Sequence, residues 1–200
     1  CEFTKTVVVF PFRMSERIQK KGEATPFEVS VANALNEIQE ASEEGIKKSL
    51  QNLKITGVKE VATDGLKVLI ISVPYKQVPV YRAILGYLIP ELEKRLENSS
   101  IVIVGKRRAF PKTPIRGRRY ASIRPTGRTL RAVNDGLLED VVYPTSIVGK
   151  RVHYDLKGGQ VTHVYLDHND RTRVEERLNT FSVAYQRLTG LRTVFEVANH

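Results

Sequence analysis

The chain has 200 residues, of which 41% are hydrophobic and 27% charged, and it carries a formal net charge of +10. That composition is globular rather than disordered, and the length suits one sizeable domain or two small ones. The single cysteine, Cys1, excludes an internal disulfide and a disulfide-built secreted fold, and no apolar run approaches the roughly 18 residues that read as a membrane span.

Residues 1–24 contain a short apolar run, Thr6-Val7-Val8-Val9-Phe10-Pro11-Phe12. It lacks a basic leader and a small-residue cleavage site, so it reads as an extended segment rather than a signal peptide. Thr25 and Glu28 then form a T-x-x-E capping box with Pro26 at the first helical position. Phe27, Val31, Ala34, Leu35 and Ile38 follow at helical spacing and predict one apolar face, with a break at Gly45 and a short turn of helix over 46–50. Ile55, Val58 and Val61 mark a strand that ends at the hairpin signal Asp64-Gly65. Leu66 to Val73 reads LKVLIISV, a β-branched apolar run of the kind found in central strands, and Pro74 ends it.

Pro79 opens a second helix with Ile84, Leu85, Leu88, Ile89, Leu92 and Leu96 facing inward, and Pro90 is expected to kink it. Ser100 to Val104 predicts a third strand. Beyond residue 125, Thr126 or Thr129 can cap a helix carrying Leu130, Val133, Leu137, Leu138 and Val141 that stops before Pro144. Residues 147–156 and 160–167 flank Gly158-Gly159, a second hairpin signal. A last helix with Val174, Leu178, Phe181, Tyr185 and Leu188 closes at Thr189-Gly190, and Thr193 to Val197 predicts the final strand. The expected fold class is α+β, with antiparallel hairpins, helices packed on the sheet and the order α-β-β-α-β occurring twice. The expected organisation is an N-terminal extended segment, 1–24, followed by one domain, 25–200.

The third strand leads into the most unusual stretch of the chain, Lys106 to Arg131. It holds eight arginines and two lysines, and no Asp or Glu occurs between Glu97 and Asp135. Outside it the charges balance, 22 basic against 22 acidic. So localised an excess of arginine points to a polyanion, because a guanidinium grips phosphate oxygens with two parallel bonds and also stacks on a base. Pro111, Pro114 and Pro125 oppose regular helix, Gly117 and Gly127 free the backbone, and Phe110, Ile115, Tyr120 and Ile123 interleave apolar groups. The segment cannot bury enough apolar area to fold alone and is expected to order on nucleic acid.

No catalytic constellation stands out. There is no G-x-G-x-x-G, Walker loop or H-E-x-x-H, so no enzyme activity and no cofactor are expected. His163 and His168 fall on opposite faces of a predicted strand, which argues against a metal site there. Asp135, Glu139 and Asp140 read as helix-surface charges beside Arg131. Aromatic RNP strands and Gly-x-x-Gly clamps are also missing, which leaves RNA contact to the loop and to the predicted turn holding Lys150 and Arg151. Residue-level reading leaves open an RNA-processing enzyme guided by the loop, an assembly factor, or a protein adaptor using residues 7–12 as an edge strand.

Several blocks carry a resemblance. These are Arg128-Thr129-Leu130-Arg131-Ala132-Val133-Asn134-Asp135, Leu138-Glu139-Asp140-Val141-Val142-Tyr143-Pro144 and Ile147-Val148-Gly149-Lys150-Arg151. Pro90-Glu91-Leu92-Glu93-Lys94, Arg107-Arg108-Ala109-Phe110-Pro111-Lys112, Thr180-Phe181-Ser182 and Tyr185 through Leu188-Thr189-Gly190 join them. Over residues 25–197 the chain resembles the eukaryote-specific ribosomal protein seven family of the small subunit. The resemblance implies a structural protein of the ribosome that supports rRNA processing and subunit assembly, in the cytoplasm after a nucleolar assembly stage. The implied partners are small-subunit ribosomal RNA and neighbouring small-subunit proteins, with no membrane and no small-molecule substrate. Arg107, Arg108, Lys112, Arg128, Lys150 and Arg151 match family positions. Arg116, Arg118, Arg119 and Arg124 lie where the family is variable but basic, and Lys106 and Arg131 complete the expected RNA-binding set.

Overall fold

The computed structural model describes residues 17–19, 24–42, 44–63, 66–96, 99–111, 125–156 and 158–198. The Asp64-Gly65 hairpin tip, the apolar run 6–12 and loop residues 112–124 lie outside them. Helix α1, Pro26–Ala41, starts as its capping residues predict: the Thr25 N–H donates to the Glu28 carboxylate at 2.9 Å. Val31, Ala34, Leu35 and Ile38 are buried, whereas Phe27 is 47% exposed. The helix stops at Ser42, whose backbone is extended, and not at Gly45. Gly45 instead lies in the first turn of α2, Glu44–Gln51.

Strand β1, Gly57–Thr63, pairs antiparallel with β2, Leu66–Pro74. Helix α3, Val78–Arg95, then crosses over and returns the chain as β3, Ser99–Lys106, parallel to β2. Helix α3 runs through Pro90, where a kink is expected, to Arg95. Ile18 bridges to Ile55, which ties the start of the described chain to the start of β1.

The second half repeats this connectivity. Helix α4, Leu130–Val142, is capped by the Thr129 hydroxyl, which accepts from the Ala132 N–H at 3.3 Å. Strand β4, Ile147–Tyr154, pairs antiparallel with β5, Gln160–Leu166. A short helix α5, Arg171–Val174, and helix α6, Leu178–Thr189, form the crossover, and β6, Arg192–Val197, lies parallel to β5. Gly190 ends α6 at φ +76°, a conformation in which a Cβ would be strained. Lys150 and Arg151 sit within β4, beyond a register shift between Ile147 and Gly149, and not in a turn. Each sheet is thus mixed: an antiparallel hairpin plus a third strand that a helical crossover makes parallel.

Two apolar cores set the layers. The first joins Val31, Leu35 and Ile38 of α1 and Leu85, Leu88 and Leu92 of α3 to one face of the first sheet, through Leu69, Ile71, Ile101 and Ile103. The second takes the other face of that sheet, Val68, Ile70, Val102 and Val104, and packs it on Leu138 and Val141 of α4 and on Phe181, Ala184 and Tyr185 of α6. Val164, Leu166 and Phe195 of the second sheet close this core from the far side. The order of layers is therefore helices, first sheet, helices, second sheet. The first sheet is covered on both faces, which is what the unbroken apolar run of β2 requires.

Candidate nucleic-acid interface

Strand β3 carries the chain to the basic stretch, and its last residues are fastened before the stretch begins. Asp140, on α4, has a side chain only 2% exposed. Its Oδ2 accepts the Gly105 N–H at 2.9 Å and its Oδ1 accepts Arg82 Nη2 at 2.9 Å. Arg107 completes the cluster, donating through Nη2 to Oδ1 at 3.1 Å and through Nη1 to Oδ2. One carboxylate thus serves two guanidinium groups and a backbone amide, which satisfies a charge that burial alone would make costly. Each guanidinium also lies over a ring: Arg107 is 5.2 Å from the centroid of Tyr75, and Arg82 is 5.0 Å from that of Tyr143. The close approach depends on glycine, since a Cβ on Gly105 would fall 2.6 Å from Val78 Cγ2 and one on Gly136 would fall 2.9 Å from Arg107 Nε.

The far end of the stretch is fastened as well. The Phe110 N–H donates to the Arg128 carbonyl at 2.9 Å, and the Arg128 guanidinium lies 5.2 Å from the centre of the Phe110 ring. Between these residues the chain leaves and re-enters the described structure at one neck. Thr129 then caps α4, so the returning strand of the loop runs directly into the helix that carries Asp140.

The residues expected to bind RNA fall into three groups. Arg107, with its side chain 16% exposed, is paired with Asp140, and Lys150 is paired with Asp135. Lys106, Arg108, Arg131 and Arg151 are exposed, with Arg151 over the Tyr165 ring at 6.0 Å. Lys112, Arg116, Arg118, Arg119 and Arg124 lie outside the described residues. The structure brings Arg107 to Asp140 near the end of α4 and Phe110 to Arg128 just ahead of it, because the chain after β3 runs back along that helix; Lys150 and Arg151 belong to the second sheet.

Asp140 is the residue that sequence reasoning misplaced. It reads as a surface charge, yet it is buried and organises the neck. A signal existed: Asp140 stands seven residues after Val133, on the apolar stripe of α4, where an acid needs an internal partner. Among the described residues no group of three or more His, Cys, Asp or Glu side chains could hold a metal, and no helix is long and apolar enough to cross a membrane. His163 instead lies 3.3 Å from Glu196 through Nδ1.

Comparison with known proteins places the chain among the ribosomal proteins, which are structural components and not enzymes. Residues 15–197 match the family model for ribosomal protein S7e, and the chain belongs to that family. Similar relatives come from distant eukaryotes, and each is named small ribosomal subunit protein eS7. The Drosophila yakuba protein is 39% identical over 186 residues, covering 92% of this chain and 95% of its own. The Secale cereale protein is 41% identical over 184 residues, covering 90% and 94%. The Candida albicans protein is 38% identical over 185 residues, covering 92% and 97%. The match begins at residue 15, ahead of Thr25.

Proposed function

We propose that the protein is a structural constituent of the small ribosomal subunit that holds ribosomal RNA through the Arg-rich loop 106–131. The observation that carries this reading is the neck. Asp140 fixes the chain at Gly105 and Arg107, the Phe110–Arg128 contact closes it, and the segment between them holds cations without a single acid. A rigid root makes a charged loop useful, because the core sets where its cations reach the phosphates. Arg107 acts as an anchor, and Lys106, Arg108, Lys112, Arg116, Arg118, Arg119, Arg124 and Arg131 are the cations left to displace counterions from RNA. The same attachment supports rRNA processing and subunit assembly, in the nucleolus first and then on the cytoplasmic ribosome, beside neighbouring small-subunit proteins.

The experiment is a salt titration of the purified chain binding to small-subunit rRNA. Contact with about five to eight phosphates gives a log–log slope of about −4 to −6 by the single-strand rule. Replacing Arg116, Arg118, Arg119 and Arg124 by Ala reduces that slope while the melting transition stays in place. A slope near −1, or one that the four substitutions leave unchanged, removes the loop from the reading. Gradient sedimentation of a lysate at low and at roughly half-molar salt tests the wider assignment. A protein that travels with small subunits under both conditions is an integral component, and one stripped by salt is not.

A further inference from the structure

The second sheet has an inner and an outer face of different chemistry. Along β5, Thr162, Val164 and Leu166 are buried, while His163 and Tyr165 point the other way and are half-buried. β6 alternates in the same manner, with Thr193 and Phe195 buried and Arg192, Val194 and Glu196 exposed. Register aligns these outward residues across three strands: Arg151 is opposite His163, which is beside Val194, and Val161 is beside Arg192. The Arg151 guanidinium lies over the Tyr165 ring, and the rings of His153 and His163 meet edge to face at 4.9 Å. Among the outward side chains of the described strands of this sheet the acid is Glu196, and it is occupied by His163.

We propose that this outer face is a second RNA contact, one that stacks unpaired bases of a single strand on Tyr165 and the His153–His163 pair, while Arg151 and Arg192 take the flanking phosphates. The inference rests on the RNA-binding reading above but uses other residues and another chemistry. A twisted sheet holds rings rigidly, every base presents a π face, and a guanidinium already over a ring can sandwich a base or turn to a phosphate. Two arginines against one acid give the face the sign that RNA requires. A protein partner would be met instead by an apolar centre with a polar rim, and here the outward aliphatic side chains of β5 and β6 are Val161 and Val194, among imidazoles and cations. A duplex keeps its bases stacked within itself and could not use the rings.

The test compares two labelled probes by fluorescence anisotropy with the full chain, an oligouridylate of about twelve nucleotides, within the span of one such platform, and an RNA duplex. Tyr165→Ala weakens oligouridylate binding by about tenfold and leaves duplex binding within about twofold. Val194→Glu, at an exposed position that tolerates the change, weakens the oligouridylate several-fold and serves if Tyr165→Ala fails to fold. Tyr87→Ala, on the exposed side of α3, changes neither. Equal losses on both probes, or parental affinity in both outer-face variants, overturn the proposal. So does a Tyr165→Ala protein that binds RNA normally but no longer enters small subunits, since the face would then seat a protein. The four-arginine loop variant keeps the two readings apart: it lowers the salt slope on both probes if the loop binds RNA, whatever Tyr165 does.

Discussion

The two sheets share one connectivity and differ in how many faces they bury. In the first sheet, neighbouring residues of β2 point into different cores: Ile70 faces α4 and α6, and Ile71 faces α1 and α3. In the second, Val164 and Phe195 enter a core, whereas His163 and Val194 face outward. A strand buried twice has no side chain to spare for a partner; a strand buried once can present every other residue. The same topology thus yields a scaffold in one copy and a working surface in the other, and the choice lies in which residues alternate.

The largest test of this contrast concerns the joint between the copies. Asp140 belongs to the second unit and binds Arg82 and Gly105 of the first. Asp140→Ala leaves Arg107 without its buried partner and should cost about 3–5 kcal/mol in urea denaturation. Glu196→Ala, whose partner His163 stands at the open face, should cost under about 0.5 kcal/mol. Comparable costs for the two would erase the distinction between a joint and a surface pair.

A second test separates the faces directly. Ile70→Ala and Ile71→Ala, on opposite sides of β2, should each cost about 2–4 kcal/mol, because each opens a cavity in a different core. Val194→Ala, 40% exposed on β6, should change stability by less than about 0.5 kcal/mol. A large loss at Val194 would mean that the outer face is packed and not open.

The smallest expected effect is alkaline. Tyr81 lies in the first core, where its hydroxyl donates to the Lys54 carbonyl at 3.2 Å. Burial pushes its pKa well above the ordinary tyrosine value, and the Arg17 guanidinium opposes this in part. An unfolded tyrosine ionises near pH ~10, so the stability held by the neutral folded form is whole below that pH and declines above it, toward the raised folded value. At about pH 11 the loss should be on the order of 1 kcal/mol, and Tyr81→Phe should flatten this part of the stability–pH curve.

Much of the contrast was legible in the sequence. LKVLIISV and IVIV are unbroken apolar runs, as strands covered on both faces must be, and RTVFEV alternates, as a strand covered on one face must. The capping box at Thr25, the hairpin glycines and the α-β-β-α-β order follow equally from local chemistry. What was not legible lies at a distance along the chain. Arg82 and Asp140 are 58 residues apart and Arg107 and Asp140 are 33, and periodicity carries no information about which helix ends beside which strand. Arginine composition marked the basic stretch but could not show that Arg107 is held by an acid of the following helix.

The neck between Phe110 and Arg128 has a further consequence. Because Phe110 and Arg128 are tied there by a backbone hydrogen bond and a guanidinium over the ring, the described residues on either side of 112–124 are already held together. Doubling a flexible loop costs only about 0.6 kcal/mol in closure entropy. By that principle, adding or removing residues between Phe110 and Arg128 should cost the folded body little, so the number of cations there can change while the sheets stay unchanged.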